Sequence, residues 1–123
     1  MLMSKRSKRL NQTSKNKLQP GIYNSVVKNV EFCDDYKDSA ALKVSYELCD
    51  ESGKIFEFSE IFYLIEGNER TIAFDEYLDS AGFDDYFKFE GCKESVDLKW
   101  HISHNRRYLS IADRKMLGVD SSK

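Results

Sequence analysis

Apolar positions along the chain change period several times, and each change marks an element. Ile22, Val26, Val30 and Phe32 share one parity, while Tyr23 and Val27 take the other. That mixed pattern predicts a long, bent strand over 22–32 that serves two sides of a barrel. The polar run Asp34-Asp35-Tyr36-Lys37-Asp38-Ser39 predicts a loop. Leu42, Val44, Tyr46 and Leu48 then alternate with Lys43, Ser45 and Glu47, as in a half-buried strand with one wet face. Asp50-Glu51-Ser52-Gly53-Lys54 predicts a hairpin turn with Gly53 in the left-handed position. Phe56, Phe58, Phe62 and Leu64 run in one parity against Glu57, Ser59 and Tyr63. Glu60 falls in the apolar parity and predicts a bulge or an edge there.

Beyond Leu64 the period becomes helical. Ile72, Phe74, Tyr77, Leu78 and Ala81 predict a helix over about 69–81, with Asn68 as N-cap, Glu69 in the first turn and Gly82 at the left-handed C-terminal position. The aromatic and acidic stretch Phe83 to Phe89 reads as a second short turn. Val96, Leu98, Trp100 and Ile102 alternate as a strand, which places Trp100 in the core with its neighbours. Ser103-His104-Asn105-Arg106 reads as a hairpin loop, and Tyr108 to Ala112 as a short last strand before a small, polar tail after Met116. The fold class is thus all-β with one helix. The order strand, strand, strand, helix, strand, strand is that of a five-stranded oligonucleotide/oligosaccharide-binding (OB) barrel. An SH3-like barrel and an open α+β sheet have the same element count.

Composition narrows the class. A chain of 123 residues with 41% hydrophobic positions and a single proline has material for one real core. No apolar run approaches the roughly 20 residues of a membrane helix. The basic N-terminus is followed by no apolar segment of the secretory kind, so the expected location is the cytoplasm. Cys33, Cys49 and Cys92 are odd in number and match neither a disulfide framework nor a zinc pattern. They read as buried or half-buried thiols. Residues 1–19 are expected to be a disordered basic arm, 20–117 the folded domain and 118–123 a flexible tail.

The net charge of -2 averages unlike regions. The arm holds six cations (Lys5, Arg6, Lys8, Arg9, Lys15, Lys17) and no acid. Residues 66–97 carry ten acids against Arg70, Lys88 and Lys93, whereas 98–123 carry six bases against two acids. Such a field turns one face towards a polyanion despite the overall sign.

Catalytic chemistry finds no support. The chain has no Gly-rich phosphate loop, nucleophile elbow or HExxH motif. His101 and His104 are three apart, which on a strand sets them on opposite faces, away from a shared metal. Asp75, Glu76 and Asp79 read as the wet face of the helix. No enzyme activity and no cofactor are expected.

Binding is better supported. Sequence-tolerant recognition of single strands needs cations along a groove and aromatic faces for the bases. On an OB barrel that groove crosses the second and third strands between the first and last hairpin loops. The first loop offers Tyr36 and Lys37, within the acids Asp34, Asp35 and Asp38. The second strand offers Lys43 and the next turn Lys54. The last hairpin offers Arg106, Arg107 and Tyr108. Each has a plainer reading as a loop aromatic, a core tyrosine or a solubilising charge. In such a barrel the helix plugs the end away from the groove, which keeps its acids from the ligand.

Several short motifs carry a resemblance. Leu18-Gln19-Pro20-Gly21-Ile22-Tyr23, the alternating Leu42-Lys43-Val44-Ser45-Tyr46, and Tyr77-Leu78-Asp79-Ser80-Ala81-Gly82 are followed by the step Gly91-Cys92-Lys93 and by Tyr108. Together, over about residues 18–112, the chain resembles phage and mobile-element OB-fold single-stranded-DNA-binding proteins, often encoded beside recombination genes. The resemblance implies single-stranded nucleic acid as ligand, DNA before RNA, with a second copy of the chain and recombination or replication proteins as further partners. The chain departs from many bacterial single-strand binders in lacking an acidic, Gly-rich C-terminal tail and in having the basic arm. The alternative is an acidic OB-like protein-protein interaction module, exposing a sheet edge or an acidic face to a basic partner.

Overall fold

A computed structural model describes residues 17–36 and 39–119, the side chains of Asp35 and Tyr36 excepted. The expected arm therefore lies, up to residue 16, outside the described residues, as do Lys37 and residues 120–123. The elements are β1 (Gly21–Tyr36), β2 (Ser39–Cys49), β3 (Ile55–Tyr63), α1 (Glu69–Ser80), a 3-10 turn (Tyr86–Phe89), β4 (Cys92–Ser103) and β5 (Arg106–Val119). All ladders are antiparallel, in one sheet of order β3-β2-β1-β4-β5. None of the described helices is long and apolar enough to cross a membrane.

The mixed parity of β1 has a local cause. Tyr23, Ser25 and Val27 point into the core, the ladder with β2 then shifts register between Val27 and Asn29, and Val30 takes over the inward side. A one-residue bulge flips every later side chain and bends the strand. The segment before β4 satisfies the backbone there: Gly91 N–H donates to the Val27 carbonyl at 2.8 Å, and the Glu90 carboxylate accepts from Val30 N–H at 2.8 Å.

Two expected strand boundaries are corrected. The polar run 34–39 is mostly strand, because the β1–β2 ladder continues to the pair Tyr36–Ser39. The last strand does not end at Ala112 but runs to Val119. A register shift opposite Asp97/Leu98 inserts Ala112, so the inward side passes from Leu109 and Ile111 to Arg114 and Met116. A broken period with an arginine at an inward position does not read as a strand. The expected turns hold: Gly53 has φ +90°, and the hairpin tip His104-Asn105 has φ 51° and 62°, a type I′ pair.

Helix α1 starts and stops as its sequence requires. The Asn68 side chain accepts from Thr71 N–H at 3.0 Å. At the other end Gly82 N–H donates to Asp79 and Phe83 N–H to Leu78, a Schellman closure. Its buried residues Thr71, Phe74 and Leu78 face the sheet. Phe74 stacks on Phe62 with centroids 4.2 Å apart and meets Phe89 edge-on at 5.4 Å. The helix also covers part of an edge. Thr71 Oγ1 donates to the Tyr63 carbonyl at 2.6 Å and Arg70 to the Ile61 carbonyl at 3.1 Å, which occupies two outward carbonyls of β3.

Candidate nucleic-acid interface

β1 stops pairing with β4 at Gly21–Leu98, whereas β4 and β5 stay paired to Ser103–Arg106. Residues 99–103 and 106–110 therefore form a two-stranded ribbon without the support of β1. His101 lies opposite Tyr108, Trp100 opposite Leu109, and Ile102 opposite Arg107. Alternation then sorts the side chains: Trp100, Ile102, Arg107 and Leu109 on one face, Lys99, His101, Arg106 and Tyr108 on the other.

This corrects the reading of Trp100 as core. The ring continues the inward parity of Val96 and Leu98, but its row lies past the end of β1, and it is 42% exposed. The guanidinium of Arg107 sits over it at 4.2 Å. Ile102, beyond, is 72% exposed. On the other face Tyr108 is also 42% exposed and meets His101 edge-on at 5.2 Å. A hollow of about 360 Å³ lies here, lined by Arg70, Lys99, Trp100, His101, Tyr108 and Ser110 among others. The ribbon thus offers aromatic rings and cations on both faces. The first turn of the helix reaches it too, so α1 is not remote from this surface. Its acids Asp75 and Asp79 instead line a separate hollow with Asp84, Asp85 and Tyr86. Burial, with a hydrogen bond to Asp75, pushes the Tyr86 hydroxyl up to about 12.

The remaining expected residues fall elsewhere. Lys43 lines a larger hollow of about 740 Å³ on the β1–β3 side, with Lys28, Ser45, Glu47, Glu57 and Ser59. Glu47 and Glu57 are directly opposed in the ladder, an unfavourable like-charge pair. Lys54 follows the β2–β3 turn with its Nζ 5.7 Å from the Phe56 ring centroid. Asp50 organises that turn by accepting from the N–H groups of Ser52 and Lys54, and the Ser52 hydrogen bonds hold its carboxyl below the usual range. Tyr36 ends β1, with its side chain outside the described residues, as is all of Lys37. Of the seven sequence-derived residues, Arg106, Arg107 and Tyr108 are brought together on the ribbon; Lys43 and Lys54 are not part of it.

Behind the ribbon lies a feature that the periodicity missed. Glu60, Glu94 and Arg114 are inward-facing charges on β3, β4 and β5. Arg114 Nη2 donates to Glu60 Oε1 at 2.8 Å, and its Nη1 reaches Glu94 Oε2 at 3.4 Å and Tyr46 Oη at 3.2 Å. Tyr46 Oη donates to Glu60 Oε1 at 2.7 Å. Burial opposes the charge of Arg114, but Tyr46, Glu60 and Glu94 outweigh it and hold the guanidinium protonated. Burial pushes Glu94 up against the pull of Arg114, and pushes the Cys92 thiol to about 11. Of the two expectations for Glu60, the bulge is absent and the edge is present, since β3 is an edge strand; the side chain is nevertheless buried, and the two sheet edges are bridged through it. Ser25, the ladder partner of Glu94, has its Oγ buried without a hydrogen-bond partner, while burial and the Glu94 carboxyl beside it push the Tyr77 hydroxyl well up. Glu60 alone stood out in the sequence; Arg114 and Glu94 gave a signal only as charges at inward parity once the β4–β5 register was known.

The three cysteines are free thiols, Cys33 and Cys49 half-buried and Cys92 buried. Among the described residues no group of three or more His, Cys, Asp or Glu side chains is arranged to hold a metal. Comparison with protein-family models, curated proteins and solved structures finds no match to this chain.

Proposed function

We propose that this protein binds single-stranded nucleic acid, DNA before RNA, without catalysing a reaction on it. The observation that carries the reading is the β4–β5 ribbon, which presents Trp100 under Arg107 and Tyr108 beside Lys99 and Arg106 on an accessible two-stranded projection. Cations there meet phosphates, and exposed rings accept bases without regard to sequence. The architecture supports it. The order β3-β2-β1-β4-β5 is that of an OB barrel opened between its third and fifth strands, and the Arg114–Glu60 pair spans that opening. The resemblance to phage and mobile-element single-strand binders points the same way.

The test is a titration of labelled oligo-dT with the full chain at several salt concentrations, read by anisotropy and by the fluorescence of the single tryptophan. We expect salt-sensitive binding that quenches Trp100. Replacing Arg106 and Arg107 together by Ala should weaken it and flatten the plot of log affinity against log salt by about 1.4, at about 0.7 per lost phosphate contact. A folded protein that does not bind, or that binds with no salt dependence, overturns the reading. A second reading, an interaction module for a basic partner, is favoured by the hollow where Asp75, Asp79, Asp84 and Asp85 meet Leu78 and Phe83.

A further inference from the structure

One side chain belongs both to the ribbon's hollow and to the buried charge cluster. Arg70, in the first turn of α1, lines the hollow with Lys99 and Tyr108. It is held from behind. Its Nη1 donates to the Ile61 carbonyl at 3.1 Å, its Nη2 reaches Glu60 Oε2 at 3.4 Å, and the guanidinium lies 5.0 Å from the Phe62 ring centroid. Glu60 does not depend on it, because its other oxygen already takes Tyr46 and Arg114 at 2.7 and 2.8 Å. The long contact to Glu60 therefore orients Arg70 more than it neutralises it. The side chain is 51% exposed. A guanidinium carries five N–H donors in a planar fork, and only two of its nitrogens are engaged by protein here.

We propose that Arg70 is a phosphate-binding residue of this surface. It takes a phosphodiester oxygen of the bound strand in company with Lys99, while Tyr108 takes a base and Glu60 acts as the positioning residue. The proposal rests on the single-strand reading above. A planar fork fixed on one side and open on the other suits an oxyanion. Lys99 adds charge, since its side chain is largely exposed and its pair with the half-buried Asp97 is long, at 3.7 Å. In the sequence Arg70 is hidden inside the acidic stretch 66–97. Only folding sets it beside the basic hairpin.

The experiment compares the full-length wild type, Arg70→Gln, Arg70→Lys and the Arg106→Ala/Arg107→Ala pair in the oligo-dT titration. Arg70→Gln should lower affinity and reduce the salt slope by about 0.7, the loss of one single-strand phosphate contact. Arg70→Lys should keep the slope and recover part of the affinity. Urea unfolding of each variant reports the fold. Should Arg70→Gln fail to fold, the Nε–H resonance of Arg70 in the wild type decides: it should shift on adding oligo-dT. Wild-type affinity and slope in Arg70→Gln, beside weakened binding by the Arg106/Arg107 pair, removes Arg70 and leaves the ribbon reading intact. Weakened binding with an unchanged slope makes the role structural and also overturns the proposal, as does an unmoved resonance. No binding by the wild type sinks both.

Discussion

Glu94 shows how far one position departs from its apparent type. It belongs to the acidic stretch of the sequence, yet it is fully buried between Cys92 and Val96 on the inward side of β4. Arg114, Tyr77, Glu60, Tyr46 and Cys92 are the titratable groups coupled to it. Its carboxyl is raised by burial, so the folded state binds that proton more readily than the unfolded chain. The associated stability is complete below the ordinary glutamate value of about 4.3 and declines as pH rises through the folded value. Glu94→Gln, neutral at every pH, should therefore lose less stability than the wild type as pH is raised from the ordinary glutamate value of about 4.3 towards neutrality. The measurement is the urea midpoint across that range, and parallel profiles for the two proteins contradict the assignment. The lowered carboxyls of Asp50 and Asp84 act in the opposite sense, but equally in both proteins. The ribbon residues make a related point. Arg106, Arg107 and Tyr108 were legible as a group because they are neighbours in sequence at a hairpin that local chemistry sets, whereas Trp100 was read as core because its apolar neighbours on the strand are core.

Among the elements, the helix was the most legible. Its N-cap, first-turn acid, apolar spacing and Gly82 terminator all act within a few residues of chain, and local chemistry suffices to set them. Asn68→Ala removes the acceptor for Thr71 N–H and should cost about 1 kcal/mol, lowering the melting temperature by about 4–8 °C. An unchanged melting curve would mean that the Phe62–Phe74 stack, not the cap, holds the first turn in place. Strands β1 and β5 were less legible, and for one reason. Each contains a register shift, and a bulge reverses the parity by which a strand is recognised. Whether a bulge forms depends on the partner strand. The first strand was read through Phe32, past the shift at Val27/Asn29, and lost only from Asp34, whereas the last was read to Ala112, where its shift falls, and no further.

For the molecule as a whole, the three inward charges Glu60, Glu94 and Arg114 connect β3, β4 and β5. Removing one partner of a buried pair strands the other charge in the interior. Arg114→Met should therefore destabilise the protein by about 3–5 kcal/mol. Changing Glu60 and Glu94 to Leu in the same chain should restore much of that, since no unpaired buried charge is left, Arg70 being half exposed. Denaturant midpoints of the single and triple variants check this, and a triple variant no better than the single one would mean that the cluster supplies specific geometry rather than charge balance. The cluster also separates what each level determined. The chain by itself specified the elements and their order, the turns at Gly53 and His104-Asn105, the caps of α1 and the pairing of cations with a tyrosine near the last hairpin. All of these follow from contacts between residues close in sequence. Tertiary structure decided that β1 ends before the row of Trp100, that Arg114 faces Glu60 from 54 positions away, and that Arg70 stands beside Lys99 and Tyr108. Those outcomes depend on which strands lie side by side and where each stops, and no local period encodes that.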